Sequence, residues 1–116
     1  MATFADPIAL YHALRENGWS AATISAGFDP ARPARNQCSV TALAVQTIFG
    51  GEIVKTPTVG GTHFYNRIDG VHWDLTVEQF DAPIPFANLP SSRHEALADT
   101  SPTRLAALLA AIGVQV

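Results

Sequence analysis

The sequence contains a single cysteine, and this scarcity excludes one class of architecture. One cysteine cannot form an intramolecular disulfide, so the 116-residue chain carries no disulfide framework. The fold must therefore be held by an apolar core, which the 47% hydrophobic content can supply. Free thiols persist in reducing compartments, and we expect a cytoplasmic protein.

Long apolar runs, basic clusters and a secretory leader are also missing from the sequence. No run approaches the roughly 18–20 apolar residues that a membrane span needs, so we expect no membrane association. The N-terminus lacks a basic region followed by an apolar core, which predicts no signal peptide. Charged residues make up only 15%, and the seven Lys and Arg residues are scattered, so no nucleic-acid partner is expected. No glycine loop is followed by Lys-Ser/Thr, and we expect no cofactor.

The remaining pattern predicts one α+β domain over residues 1–116, with flanking N- and C-terminal helices around a central helix and a small antiparallel sheet. A helix is expected over residues 6–18, with Asp6 as N-cap and Pro7 at its first position. The hydrophobic periodicity then changes from that of helices to that of strands. The other expected elements are a central helix from Cys38 to the stop at Gly50–Gly51, strands over 52–58, 62–68 and 71–76, a proline-rich loop over 81–92, and a helix over 101–113.

The central helix begins at the cysteine. Asn36 is the expected N-cap, which would place Cys38 in the first turn, where free backbone N–H groups and the helix dipole favour a thiolate. The alternative is that Cys38 packs as a small apolar side chain, because free cysteine is among the most buried residue types.

The two strands after the helix form a hairpin that can supply a base to the thiol. The Asp69–Gly70 dipeptide is typical of a two-residue turn, which places position 65 opposite position 74. His63 and Asp74 then lie on one face as diagonal neighbours, within reach of a His–carboxylate contact. A nucleophilic cysteine needs such a base and a group that orients it. The pattern therefore predicts a Cys38–His63–Asp74 site.

Other polar residues near these three are candidates for supporting roles. Gln37 could donate an amide N–H to an oxyanion alongside the backbone N–H of Cys38. Tyr65 shares the face of His63, and Asn66 could orient a histidine, although strand alternation puts it on the opposite face. Zinc is the competing use of Cys38, His63, His72 and Asp74, but no Cys-x-x-Cys, His-x-His or His-x-x-x-His spacing supports it.

Residues 36–80 resemble the YunG family of small bacterial proteins. The similarity lies in the Gln-Cys opening, the Thr-Ala-Leu helix, the Gly-Gly stop, the His-Phe-Tyr-Asn strand, and the Asp-Leu-Thr segment that leads to Gln-Phe. More distantly, the layout is similar to papain-like cysteine hydrolases, in which a cysteine opens a central helix and the sheet supplies His and then Asp or Asn. That resemblance implies Cys38 as nucleophile, His63 as base and acid, and Asp74 as the orienting group.

The residues and the resemblance together predict a cysteine-dependent hydrolase or acyl/amide transferase acting on a peptide or small amide. Two departures from papain-like enzymes leave a second hypothesis open. The chain is short, and the usual oxyanion glutamine lies several residues before the cysteine, whereas Gln37 is adjacent to it. The alternative is a non-catalytic binding or regulatory module that keeps the papain-like fold.

Overall fold

The computed structural model describes residues 4–114, so residues 1–3 and 115–116 of the predicted domain lie outside it. Within the described residues the fold is α+β, with four α-helices and one four-stranded antiparallel sheet of strand order β3-β2-β1-β4. The helices and strands are α1 (Pro7–Ala13), α2 (Cys38–Phe49), β1 (Glu52–Thr58), β2 (Gly61–Ile68), β3 (Val71–Trp73), β4 (Leu89–Pro90), α3 (Arg93–Ala98) and α4 (Pro102–Ala111).

Helix α2 is the centre of the domain. Its residues Ser39–Val45 are all buried, as expected for a helix without charged residues. One side packs on the sheet, where Ala42 and Leu43 join Phe64 of β2 in an apolar cluster. Another side contributes Val40 and other residues to a larger cluster with α1 and α4. The helix start is therefore held from several directions.

The β2–β3 hairpin has the predicted register. Asp69 and Gly70 form the turn with φ values of 49° and 81°, the left-handed conformations that a two-residue hairpin turn requires. Arg67 pairs with His72, and Asn66 pairs with Trp73. The alternation of side chains along β2 then sets His63 on one face and Asn66 on the face that meets α2.

Several elements differ from the expectation. The first helix leaves α-geometry after Ala13 and continues as a π-helical turn over Leu14–Gly18. Strand β3 ends at Trp73, so Asp74 follows the strand instead of lying within it. The predicted loop over 81–92 contains β4, a two-residue strand that pairs with β1. Helix α3 was not predicted.

The C-terminal helix and the predicted stops agree with the sequence. Ser101 caps α4 by accepting a hydrogen bond from the Arg104 N–H, and Pro102 occupies the first position. Helix α2 ends at Gly50, which has a positive φ of 76°. None of the helices within residues 4–114 is long and apolar enough to cross a membrane.

Candidate active site

Cys38 is the first residue of α2. The helix follows Gln37 as N-cap, so the expectation of Asn36 as N-cap was wrong by one residue; Asn36 instead turns the chain with a φ of 64°. The first intrahelical bond runs from the Thr41 N–H to the Gln37 carbonyl, and no side chain caps the helix start. The backbone N–H groups of the first turn are therefore free beside a partly buried thiol.

His63 lies on β2 with its ring buried, and it binds Asp74 directly. The distance between His63 Nε2 and Asp74 Oδ2 is 2.6 Å, and the ring is only 2% exposed. Because an ionised carboxylate can only accept hydrogen bonds, we assign the ring proton to Nε2, which donates a hydrogen bond to Asp74. The other ring nitrogen, Nδ1, lies on the opposite side of the ring, where the Gln79 amide nitrogen is 3.5 Å away.

The surroundings of His63 favour its charged form. Burial opposes the positive charge, but interactions with Asp74, foremost its hydrogen bond, and with Cys38 outweigh burial and raise the pKa of His63 from 6.5 to about 9. Cys38 and His63 also line the same cleft. The structure brings Cys38, His63 and Asp74 together in one place.

The segment from Asp74 to Phe80 encloses the imidazole. Asp74 Oδ1 accepts hydrogen bonds from the backbone N–H of Thr76, at 3.1 Å, and from its hydroxyl, at 3.2 Å. The Gln79 amide donates to the Thr76 hydroxyl at 3.0 Å, and its nitrogen lies 3.5 Å from His63 Nδ1. Phe80 packs edge-on against the ring, with centroids 4.8 Å apart. Sequence reasoning missed Gln79 and Phe80 as site residues, although both lie in the Gln-Phe pair at the end of the family-like block.

The thiol opens onto a cleft of about 370 Å³. Cys38, His63, Thr62, Gln79, Phe80 and Asp99 are among its lining residues. The turn between β1 and β2 forms one rim, where Gly60 and Gly61 leave the entrance open. This volume lies at the lower end of the range for ligand pockets, which suits a small amide or one or two residues of a peptide.

A second cavity, of about 420 Å³, borders Asp74. It is lined by Tyr65, His72, Asp74, Val77, Phe86 and Asn88 and does not include the cysteine. Tyr65 shapes this cavity, since its hydroxyl donates to Asn88 Oδ1 at 2.7 Å and accepts from the Asn88 N–H at 2.8 Å. The first cleft is the candidate site, because Cys38 lines it and does not line the second cavity.

The remaining predicted residues lie away from the cleft. Gln37 is fully buried; its Oε1 accepts from the Thr23 hydroxyl at 2.8 Å, and its Nε2 has no partner within the described residues. Asn66 is on the α2 side of the sheet, where its amide donates to the Ala42 carbonyl at 3.0 Å. No group of three or more His, Cys, Asp or Glu side chains arranged to hold a metal occurs within residues 4–114.

Comparisons with known proteins identify the family. The chain is 54% identical over 69 residues to the uncharacterized protein YunG of Bacillus subtilis (strain 168), an alignment that covers 60% of each protein. No solved structure matches the chain. The YunG protein family model matches residues 6–116, nearly the whole chain, and this chain therefore belongs to the YunG family.

Proposed function

We propose that this protein is a cysteine-dependent hydrolase or acyl/amide transferase, with Cys38 as nucleophile, His63 as general base and acid, and Asp74 as the group that orients His63. One observation carries the proposal. The His63 ring is held by Asp74 at 2.6 Å on one nitrogen, and the ring lines the same cleft as Cys38. A thiol, an adjacent base and a third orienting group are the parts that nucleophilic cysteine catalysis requires.

The reaction would begin from a thiolate–imidazolium pair. The thiol proton passes to His63 Nδ1, while Nε2–H remains bonded to Asp74. The thiolate attacks the carbonyl carbon of an amide, and the carbonyl π electrons move to oxygen. When the tetrahedral intermediate collapses, His63 gives its proton to the leaving amine and a thioester forms on Cys38. Water or a second amine, deprotonated by His63, then releases the acyl group.

The oxyanion of that intermediate would lie at the start of α2. The Cys38 N–H has no intrahelical partner and stands at the positive end of the helix dipole, as an oxyanion donor should. Gln37 is buried beneath the same turn and bonded to Thr23, so we assign it to positioning the helix start rather than to contact with substrate.

We further propose that the architecture is a reduced papain-like fold. Support comes from the chain order: a cysteine at the first position of the central helix, then a histidine on the antiparallel sheet, then a carboxylate after the next strand. The sheet has four strands, two of which have only three and two residues.

The test is alkylation of the native protein with iodoacetamide across pH 5–10. At pH 6 a free thiol is almost entirely protonated, so we expect Cys38 to react at least about tenfold faster than N-acetylcysteine. His63→Ala should lose this advantage, whereas the control His94→Ala, an exposed histidine of α3, should keep it. Capture of an acetyl thioester on Cys38 after exposure to p-nitrophenyl acetate would then support acyl transfer. A rate at pH 6 no greater than that of N-acetylcysteine would refute the proposal and favour the binding-module alternative.

A further inference from the structure

The charge distribution around the cleft points to the class of substrate. Of the residues that line the cleft, the ionisable ones are Cys38, His63 and Asp99, and neither Lys nor Arg is among the lining residues within the described chain. Asp74 lies directly behind His63 and adds a second carboxylate. The one positive charge, on His63, is flanked by Asp74 and the thiolate of the proposed mechanism. The site therefore has a net negative charge.

Asp99 differs from the other carboxylates near the site because its side chain has no partner among the described residues. It follows the last residue of α3, is exposed, and its side chain forms no hydrogen bond or ion pair with the described residues. By comparison, Asp74 binds His63 and Thr76, and Glu95 on the same helix binds Lys55 and Ser91. Asp99 thus places a carboxyl side chain on the wall of the cleft without a partner among the described residues.

We infer that the substrate carries a positive charge, a primary ammonium or a guanidinium, which Asp99 binds while Cys38 attacks the neighbouring amide or ester carbonyl. The inference rests on the proposed function and names its substrate class. Asp99 and Cys38 line the same cleft of about 370 Å³. One small molecule, or one basic residue of a peptide, can therefore contact both side chains at once. The cleft has no Lys or Arg among its lining residues, and its negative charge repels a substrate carboxylate.

The size of the effect follows from Coulomb's law. A cavity of 370 Å³ is about 9 Å across if taken as a sphere, and a unit charge at that distance in water changes the local concentration of a monovalent ion about twofold. Because a cation is attracted and an anion repelled, the ratio of their reaction rates should change about fivefold when Asp99 is neutralised. Salt screens this interaction, so at 1 M salt the ratio of the cation's rate to the anion's rate should approach the ratio for a free thiol.

The experiment uses three thiol-reactive reagents that differ in charge. Methanethiosulfonates bearing an aminoethyl, methyl or sulfonatoethyl group each transfer their thioalkyl group to the thiolate and release methanesulfinate. Cys38 is the only cysteine, so each rate reports on this site alone. We expect the cationic reagent to react faster than the anionic one, relative to 2-mercaptoethanol, and Asp99→Asn to lower that preference about fivefold. Asp99→Lys should reverse it.

Matched controls keep the two ideas separable. Glu16→Gln makes the same change in net charge at an exposed residue that does not line the cleft, and it should leave the preference unchanged. Equal effects of Asp99→Asn and Glu16→Gln, or no preference for the cation in the parent protein, would overturn the substrate inference. The neutral reagent tests the proposed function on its own: if its rate does not depend on His63, the mechanism fails whatever the charge preference is. Thermal melting of each variant verifies that the fold is intact.

Discussion

Replacing Asp74 by Asn should switch His63 from charged to neutral at pH 8. The orientation of the new amide is fixed by Thr76, because its backbone N–H donates to Oδ1 at 3.1 Å. The amide nitrogen of the substituted side chain must then face His63 Nε2, where Asp74 Oδ2 now accepts at 2.6 Å. A donor in that place favours the neutral ring with its proton on Nδ1, which is the wrong tautomer for accepting a proton from Cys38.

The magnitude follows from the pKa of His63. Burial opposes its charge, and the bond to Asp74 leads the contributions that raise the pKa to about 9. Loss of a neighbouring opposite charge lowers a pKa by about 1–3, so we expect a value near 7 in Asp74→Asn. Since the folded pKa of His63 is raised, its stabilising contribution is complete below about pH 6.5 and is lost as pH rises through about 9. The difference in unfolding free energy between the two proteins should therefore shrink by about 2–3 kcal/mol from pH 6 to pH 10.

Two measurements test this reasoning. NMR titration of the four histidine Cε1–H signals, with the His63 signal assigned from His63→Gln, gives the pKa directly. Urea unfolding of both proteins under reducing conditions at pH 6 and pH 10 gives the change in stability. A His63 pKa near 9 in Asp74→Asn, or a stability difference that is the same at both pH values, would refute the assignment of Asp74 as the group that holds the charge on His63.

Three further substitutions separate the site from its scaffold. Asn66→Ala removes the buried hydrogen bond from its amide to the Ala42 carbonyl, so chemical denaturation should show a loss of about 1 kcal/mol while the alkylation rate of Cys38 is unchanged. Tyr65→Phe removes the hydroxyl that joins Asn88, and limited proteolysis within residues 81–88 should become faster, unlike in the exposed control Glu16→Gln. Gly60→Val adds a side chain at the open rim of the cleft, where a Cβ at this position would have no neighbouring atom within 4 Å. The substitution should slow alkylation by bulky haloacetamides more than alkylation by iodoacetamide. An equal effect on both reagents would contradict the placement of the entrance.

The His63–Asp74 contact was accessible to sequence reasoning because it depends on local rules. A two-residue Asp-Gly turn fixes the register, and the period of two along each strand then places both side chains on one face. The register Arg67–His72 confirms the turn. The end of β3 at Trp73 did not disturb the result, because Asp74 is only one residue beyond the ladder.

The contacts that the sequence did not predict are those made by irregular segments. Thr56 of β1 donates to the Pro85 carbonyl and accepts from the Ala87 N–H, which fixes the loop over 81–88 against the sheet. No periodicity in the sequence predicts this pair of hydrogen bonds, because a loop can place its backbone groups anywhere within reach. Helix α3 was missed because it has only six residues and shows no repeated apolar spacing. Gln79 ends a short 3₁₀ turn over Val77–Gln79 and Phe80 follows it, so the approach of both side chains to His63 depends on the path of this turn.

That path is itself fixed by the first helix, which explains how so small a chain encloses a histidine. Glu78, beside Gln79, accepts hydrogen bonds from the Tyr11 hydroxyl at 2.6 Å and from the Arg15 guanidinium at 2.8 Å. Asp74 and Phe80, at the two ends of the same segment, hold the His63 ring by a hydrogen bond and an edge-on contact. The segment is therefore bound through Glu78 to the N-terminal helical region and contacts the imidazole at both of its ends. In this arrangement the N-terminal helical region and the seven-residue segment 74–80 together position the His63 ring.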